Sequence, residues 1–148
     1  MYQKPSVSDF LLRSEFRFRT GNADSGIFIR AVADVPFFRG WPGNSYQVQI
    51  RDISENRSNN PIWLTDIYRH NVAEGGETQF NREDVLESYT GVGEWQTIEI
   101  EADGDSLTVW LNGSLVTRAE NIVNPTGYIG LQGETGIVEF RSIEIREL

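Results

Sequence analysis

The sequence predicts an all-β protein, a two-sheet antiparallel β-sandwich of jelly-roll type. Several segments alternate apolar and polar side chains with the period of two that is typical of half-buried strands. Four tryptophans, five tyrosines and eight phenylalanines accompany fourteen glycines, a composition that favours short strands joined by turns. We therefore expect about nine strands and less than about one tenth helix.

Length and charge limit the possible functions. The 148 residues are expected to form one domain, residues 1–148, with a core of its own. The absence of cysteine excludes disulfides and thiolate metal sites. The formal net charge of −9 argues against nucleic-acid binding, which needs clustered Lys and Arg. No apolar run predicts a membrane span or an export signal, so we expect no membrane partner.

The first half of the chain contains three predicted strands. Residues 10–19 alternate apolar with mostly charged side chains, and residues 27–35 resume the alternation after a glycine-containing turn. Residues 37–45 hold two aromatics among Pro and Gly, which favours an ordered loop, and residues 46–52 form the next strand. Nothing in the polar residues ahead of Asp9 predicts a strand.

The middle of the chain has weaker periodicity. Residues 62–68 are expected to contain one short strand. Residues 69–93 are expected to form a long loop, with one or two helical turns at residues 81–87 as the alternative.

A three-strand meander follows in residues 95–118. The strands at 95–102, 107–111 and 115–118 are separated by Asp103-Gly104 and Asn112-Gly113, dipeptides that supply the positive φ of tight hairpin turns.

The last predicted strands occupy residues 127–148. They are joined by a glycine-rich turn that carries Glu134. Apolar residues fall on even numbers up to Phe140 and on odd numbers from Ile143, so the side-chain phase changes between them. This change predicts a bulge or a bend. The inward faces of all these strands predict a core that includes Phe10, Leu12, Phe16, Phe18, Ile27, Ile29, Ile98, Ile100, Leu107, Val109, Phe140 and Ile143.

Six pieces of the chain, in this order and spacing, resemble the 3-keto-disaccharide hydrolase family. They lie at residues 24–30, 46–52, 65–68, 93–95, 109–113 and 129–143, and the resemblance runs from about residue 9 to residue 148. It implies a concanavalin A-like sandwich whose concave sheet holds a sugar site. It also implies activity on 3-keto-disaccharides or 3-keto-glycosides, by hydrolysis or elimination, in a periplasmic or secreted protein.

Three features depart from that family. Gln47 stands where the family commonly has Glu, and Glu134 stands where it usually has His. Family members also begin with a further segment ahead of Asp9, which raises the hypothesis that the first strand of the fold is missing. An unpaired edge would recruit a second copy and give a homodimer, unless the loop at residues 69–93 covers it.

Three residues are candidates for catalysis under this resemblance. Glu134 would act as general base or acid, although an exposed turn residue is the alternative. Arg30 would hold a sugar hydroxyl or stabilise an enolate oxygen, although a buried ion pair with Asp52 is the alternative. Tyr68 would donate a proton to the leaving oxygen. The single histidine, His70, would be the next candidate for the base, since the pKa range of histidine suits proton transfer. It follows Arg69 at the start of a predicted loop, however, and is expected to be a surface residue.

Five residues are candidates for substrate binding. Side-chain amides at i and i+2 of one strand share a face and suit sugar hydroxyls, and Trp110 could stack on a pyranose ring or belong to the core. The set is Gln47, Gln49, Asp52, Trp110 and Gln132. No spacing demands a metal or cofactor, although a divalent ion held by Asp52 and Glu134 is an open alternative.

The sequence leaves two functions in competition. One is an enzyme that cleaves 3-keto-sugars with a base, an acid and a group that stabilises the enolate. The other is a non-catalytic carbohydrate-binding module on the same fold, because fold alone does not determine activity.

Overall fold

The protein is a sandwich of two antiparallel sheets. A computed structural model describes residues 3–32, 42–54, 63–70 and 77–148. The strands are β1 Gln3–Val7, β2 Phe10–Phe18, β3 Asp24–Ala31, β4 Ser45–Arg51, β5 Ile67–His70, β6 Glu77–Phe80, β7 Gln96–Asp103, β8 Ser106–Leu111, β9 Ser114–Glu120, β10 Gly127–Thr135 and β11 Val138–Glu147, with helix α1 at Arg82–Ser88. This confirms the predicted all-β sandwich class.

Each sheet has a simple order. The five-stranded sheet runs β1-β10-β3-β4-β5, and the six-stranded sheet runs β11-β2-β7-β8-β9-β6. The predicted meander is β7, β8 and β9, with positive φ at Gly104, Asn112 and Gly113 in its two turns. The hairpins form because these residues adopt the left-handed backbone that tight turns require.

The core lies between the sheets, where the period-two alternation places it. The predicted core residues of β2, β3, β7 and β8 are all buried. Phe140 and Ile143 are only partly buried and pack against the core, because β11 is the edge of its sheet. The register between β11 and β2 shifts between Phe140 and Ser142, so the predicted bulge is present.

Two strands were not predicted, and the helix was expected only as the alternative to a loop. The polar segment ahead of Asp9 forms β1, which pairs with β10 at the sheet edge, where the proline of its QKPSV sequence is tolerated. Strand β6 lies in the stretch predicted to be a loop, and it pairs with β9 at the edge of the six-stranded sheet. Helix α1 starts at the N-cap Asn81, whose side chain accepts from the Asp84 amide, and it buries Val85. The predicted loop was therefore wrong for β6 and α1, and the helical alternative describes α1 correctly.

Some predicted features lie partly outside the described residues. The strand expected at residues 27–35 ends at Ala31, and residues 33–41 are not described. The strand expected at residues 62–68 begins only at Ile67, after a turn. Homodimer formation through a sheet edge stays a prediction.

Candidate functional site

Polar side chains line the face of the five-stranded sheet that points away from the core. Cross-strand partners project to the same side of a sheet. Phe28 pairs with Gln47, and Gln47 pairs with Tyr68, whereas the alternating neighbours Ile27 and Val48 enter the core. We call this outer side the network face.

Three glutamines on the network face hydrogen-bond to one another and to a histidine. The amide nitrogen of Gln47 donates to Gln49 Oε1 at 2.6 Å and to Gln132 Oε1 at 2.8 Å. The carbonyl oxygen of Gln47 lies 2.5 Å from His70 Nε2. All four side chains are buried, so these mutual hydrogen bonds offset the cost of removing them from water.

The chain of hydrogen bonds ends at a carboxylate. Gln49 Nε2 donates to Asp24 Oδ1 at 2.5 Å, and Arg51 Nη1 donates to Asp24 Oδ2 at 3.0 Å. These six residues, His70, Gln47, Gln49, Gln132, Asp24 and Arg51, form what we call the amide network. It crosses four of the five strands, so it depends on the sheet register.

Gly26 makes room for the network. It pairs with Gln49 on one side and with Gln132 on the other. A Cβ built at this position would overlap with the side chain of Gln47, including its amide nitrogen. A glycine is therefore required here because the Gln47 amide lies directly over the β3 backbone.

His70 is a buried member of the site and not the surface residue that was predicted. Its ring packs edge-to-face on Phe28 at 5.4 Å and on Tyr68 at 4.7 Å between centroids. Burial lowers the pKa of His70 below its ordinary value. Its Nε2 contacts Gln47, while Nδ1 has no hydrogen-bond partner among the described residues. The strand predicted from the sequence ended at Tyr68, but β5 continues to His70, which lies two residues beyond the partner of Gln47 and on the same face.

Asp24 is a residue of the site that the sequence reasoning did not identify. Burial, reinforced by the negative charge of Glu134, raises the pKa of Asp24 to about 6, against the opposing effects of Arg51 and Gln49. The surroundings of Asp24, at the end of the amide network, therefore disfavour the charged form of its carboxyl group. Only the pairing of β3 with β4 and β10 reveals these surroundings.

The raised pKa of Asp24 predicts a pH-dependent stability difference between the parent and Asp24→Asn. Since the folded pKa exceeds the unfolded value, Asp24 contributes stability at low pH that is lost as pH rises towards 6. The variant lacks this loss. Urea unfolding should therefore show its stability relative to the parent rising between about pH 4 and pH 7, by at most about 2 to 3 kcal/mol. A constant difference across that range would contradict the assignment.

Glu134 lies at the edge of the network face. It sits between the pairs Gly133 with Ser25 and Thr135 with Asp24, where the register shifts, and its side chain is exposed. The turn that follows is made by Gly136, with φ 70°. Along β4, Glu134 lies level with Ile50 and Arg51, whereas His70 lies level with Ser45. The two rows are therefore five to six residues apart, which corresponds to roughly 16 to 20 Å.

Arg30 lies elsewhere, at one end of the sandwich interior. A positive φ of 48° interrupts the alternation of β3, and the side chain is fully buried. Its guanidinium donates to the backbone oxygens of Ser8, Gly104 and Asn124 and pairs with Asp9 at 3.0 Å. The structure therefore does not bring Arg30 to Glu134 or Tyr68. The buried guanidinium forms an ion pair, but its partner is the partly exposed Asp9 and not Asp52.

Asp52 is tied into the turns at the end of β4. Its carboxylate accepts hydrogen bonds from the Asn22 amide, from Ser54 and from the Tyr89 hydroxyl at 2.6 Å. Burial alone would raise the pKa of Asp52, but these hydrogen bonds outweigh it and lower that pKa. The structure does not bring Asp52 into the amide network.

The two aromatic candidates lie on opposite sides of the molecule. Tyr68 is 43% exposed on the network face, beside His70. Trp110 pairs with Glu99 and Leu115 on the outer face of the six-stranded sheet, so it belongs neither to the network face nor to the core. The alternation of β8 decides this, because Val109 and Leu111 point inward.

The described residues contain no set of metal ligands, because within those ranges no three His, Asp or Glu side chains lie together in a group that could hold an ion. A divalent ion at Asp52 and Glu134 stays a prediction. The structure places these two side chains in different surroundings, one hydrogen-bonded near Tyr89 and the other exposed near Asp24.

Comparisons with known proteins agree with the fold described above. A candidate glycosyl hydrolase from Parabacteroides distasonis ATCC 8503 superposes with a TM-score of 0.75 at 24% identity, over 98% of this chain and 81% of that one. The carbohydrate-binding module CBM66 from Bacillus subtilis gives 0.63 at 18% identity, over 97% and 78%. Sheep galectin-11 gives 0.57 at 8% identity, over 98% and 96%. These likenesses establish the shared fold.

Three further findings concern the chain as a whole. None of the curated proteins compared with the chain matches it significantly. No helix in the described part of the chain is long and apolar enough to cross a membrane. The family model described as the 3-keto-alpha-glucoside-1,2-lyase-like domain matches residues 1–146. Because that match spans nearly the whole sequence, the chain belongs to the family of 3-keto-alpha-glucoside-1,2-lyase-like domains.

Proposed function

We propose that the chain binds a 3-keto-α-glucoside on the network face and cleaves its glycosidic bond by elimination across C1 and C2. Membership of the lyase-like family supports this chemistry. The observation that carries the proposal is a buried histidine, His70, held at Nε2 by Gln47 and with no hydrogen-bond partner at Nδ1 among the described residues. A neutral imidazole with an available nitrogen is suited to take a proton.

The proposed reaction is balanced without an external oxidant or reductant. The C3 carbonyl acidifies the C2 hydrogen, which leaves as a proton to the base and gives an enolate. The electron pair then forms the C1–C2 double bond, the C1–O bond breaks, and the leaving oxygen takes up a proton. The products are an enone and an alcohol. Addition of water to the enone would convert the elimination into a net hydrolysis.

Each chemical role has a candidate on one part of the face. His70 Nδ1 takes the C2 proton, and the lowered pKa of His70 keeps it neutral near pH 7. Tyr68, whose ring contacts that of His70, donates a proton to the leaving oxygen. The amide nitrogen of Gln132 has no partner among the described residues and is available to a sugar oxygen. Gln47 and Gln49 hold these groups in place.

The direct test is turnover of a 3-keto-α-glucoside that carries a chromophoric leaving group. Release of the leaving group, corrected for the protein-free rate, reports bond cleavage, and ultraviolet absorption reports the enone. The parent glucoside without the C3 carbonyl should not react. Deuterium at C2 should slow the reaction if proton abstraction limits the rate. Cleavage of the unoxidised glucoside at the same rate would contradict the mechanism.

Glu134 is the alternative base, and its position gives a separate prediction. It is exposed and roughly 16 to 20 Å along the sheet from the row of His70, so the two cannot act on one C2 hydrogen. We expect Glu134→Gln to lower kcat by less than about 10-fold, since it removes only a charge at the rim. A loss of about 100-fold or more in steady-state assays would instead assign the base to Glu134.

A carbohydrate-binding module is the second candidate function. The mutually hydrogen-bonded amides of Gln47, Gln49 and Gln132 favour it, because a face organised before binding loses little freedom when a sugar arrives. The fold shared with CBM66 is consistent with this function. Calorimetry with a methyl 3-keto-glucoside would support it if binding occurred while no product formed.

A further inference from the structure

We propose that Asp24 is a positioning residue that fixes the tautomer of His70 through Gln49 and Gln47. The two side chains do not touch. They are joined by three consecutive hydrogen bonds between Asp24 and Gln49, Gln49 and Gln47, and Gln47 and His70. We call these three hydrogen bonds the relay. Each glutamine amide has one donating end and one accepting end, so the direction of the first bond determines the direction of the last.

The direction starts at the carboxylate. An ionised Asp24 only accepts, so the amide nitrogen of Gln49 must face it. Gln49 Oε1 then faces Gln47 and requires the amide nitrogen of Gln47 as its donor. Gln47 Oε1 is left facing His70, so His70 Nε2 must carry the hydrogen. The lone pair of a neutral imidazole is thereby assigned to Nδ1.

Two neighbours hold the direction in place. Arg51 donates to the other oxygen of Asp24, so this carboxylate is met by donors on both sides. Gln132 Oε1 accepts the second hydrogen of the Gln47 amide nitrogen. Turning the Gln47 amide over would leave the oxygens of Gln49 and Gln132 facing a carbonyl oxygen, and buried polar atoms without partners are costly.

Replacing Asp24 with Asn should reverse the donor-to-acceptor direction of all three hydrogen bonds. Arg51 has only hydrogens to donate, so it selects the single amide oxygen of the new side chain and turns the amide nitrogen towards Gln49. Gln49 and Gln47 must then turn over in sequence, and Gln132 with them. The amide nitrogen of Gln47 would face His70, which must accept at Nε2 and carry its hydrogen on Nδ1.

The chain offers a direct spectroscopic test, because His70 is its only histidine. Long-range proton–nitrogen NMR of the 15N-labelled, tag-free protein, at a pH where His70 is neutral, distinguishes the protonated ring nitrogen from the unprotonated one. We expect Nε2–H in the parent and Nδ1–H in Asp24→Asn. A folded Asp24→Asn protein that keeps the parent pattern would overturn the proposal.

Glu134→Gln is the matched control. It makes the same carboxylate-to-amide change beside Asp24, but Glu134 has no hydrogen bond to the network, so the tautomer should not change. A tautomer change in this control would show that charge alone acts, and would overturn the relay. If Asp24→Asn does not fold, Gln49→Leu interrupts the relay instead. It should give a mixture of tautomers, and an unchanged Nε2–H signal would contradict the proposal.

The consequence for turnover rests on the proposed function. With the lone pair turned towards Gln47, Asp24→Asn should lose about 100-fold in kcat with little change in KM, the usual contribution of a general base. The two readouts separate the failures. If the tautomer switches but the protein never turns over 3-keto-glucosides, the positioning role of Asp24 is supported and the proposed enzyme activity is contradicted. If turnover persists in Asp24→Asn without a tautomer switch, the positioning role is contradicted and the enzyme activity is supported.

Discussion

Replacing His70 with Gln should lower kcat for a 3-keto-α-glucoside by about 100-fold or more, with KM nearly unchanged. The amide nitrogen of the new side chain can take the place of His70 Nε2 as the donor to Gln47 Oε1, so the amide network is kept. What the variant loses is the ring nitrogen that accepts a proton. Steady-state kinetics above and below neutral pH would measure the effect.

Trp110→Phe is the control for this prediction. Trp110 was expected to stack on the sugar, but it lies on the outer face of the other sheet, so its replacement should leave kcat and KM unchanged. If His70→Gln kept the parent's turnover, the base would lie elsewhere, with Glu134 the next candidate. A drop in Trp110→Phe equal to that in His70→Gln would contradict the placement of the site on the network face.

Arg30→Met should destabilise the fold by about 3 to 5 kcal/mol. The guanidinium is fully buried and donates to three backbone oxygens, those of Ser8, Gly104 and Asn124, from three different loops. Methionine has a similar length but no donor, so it leaves these three carbonyl groups without the guanidinium, while the partly exposed Asp9 carboxylate keeps its hydrogen bond from the Gly104 backbone N–H. Urea unfolding followed by tryptophan fluorescence would measure the loss.

The matched control is Arg118→Met. Arg118 pairs with Glu120 at 3.4 Å, and both side chains are about half exposed. Such a pair contributes little because water screens it, and its removal should cost less than about 1 kcal/mol. If Arg30→Met cost no more than this control, the hydrogen bonds of Arg30 would not be what holds that end of the sandwich together.

The fold class and most of the core could be predicted from the sequence. Period-two alternation is a local property, and a strand that buries one face shows it wherever its partners lie. The hairpin turns at Gly104 and Gly113 were predicted from dipeptides, which are also local, and the bulge after Phe140 was predicted from a change of phase in the alternation. The amides of Gln47 and Gln49 were expected on one face from their spacing, and they hydrogen-bond to each other there.

Which of the predicted site residues meet could not be predicted, because it depends on how distant strands pair. Gln132 reaches Gln47 across 85 positions because β10 pairs with β3 and β3 with β4, a register that no local pattern contains. Arg30 leaves the face that alternation assigns to it because its φ of 48° turns the side chain into the sandwich. His70 is buried and oriented because β5 adds beside β4. Contacts between distant strands are set by the global pairing of backbone hydrogen bonds, and that pairing assembles the site.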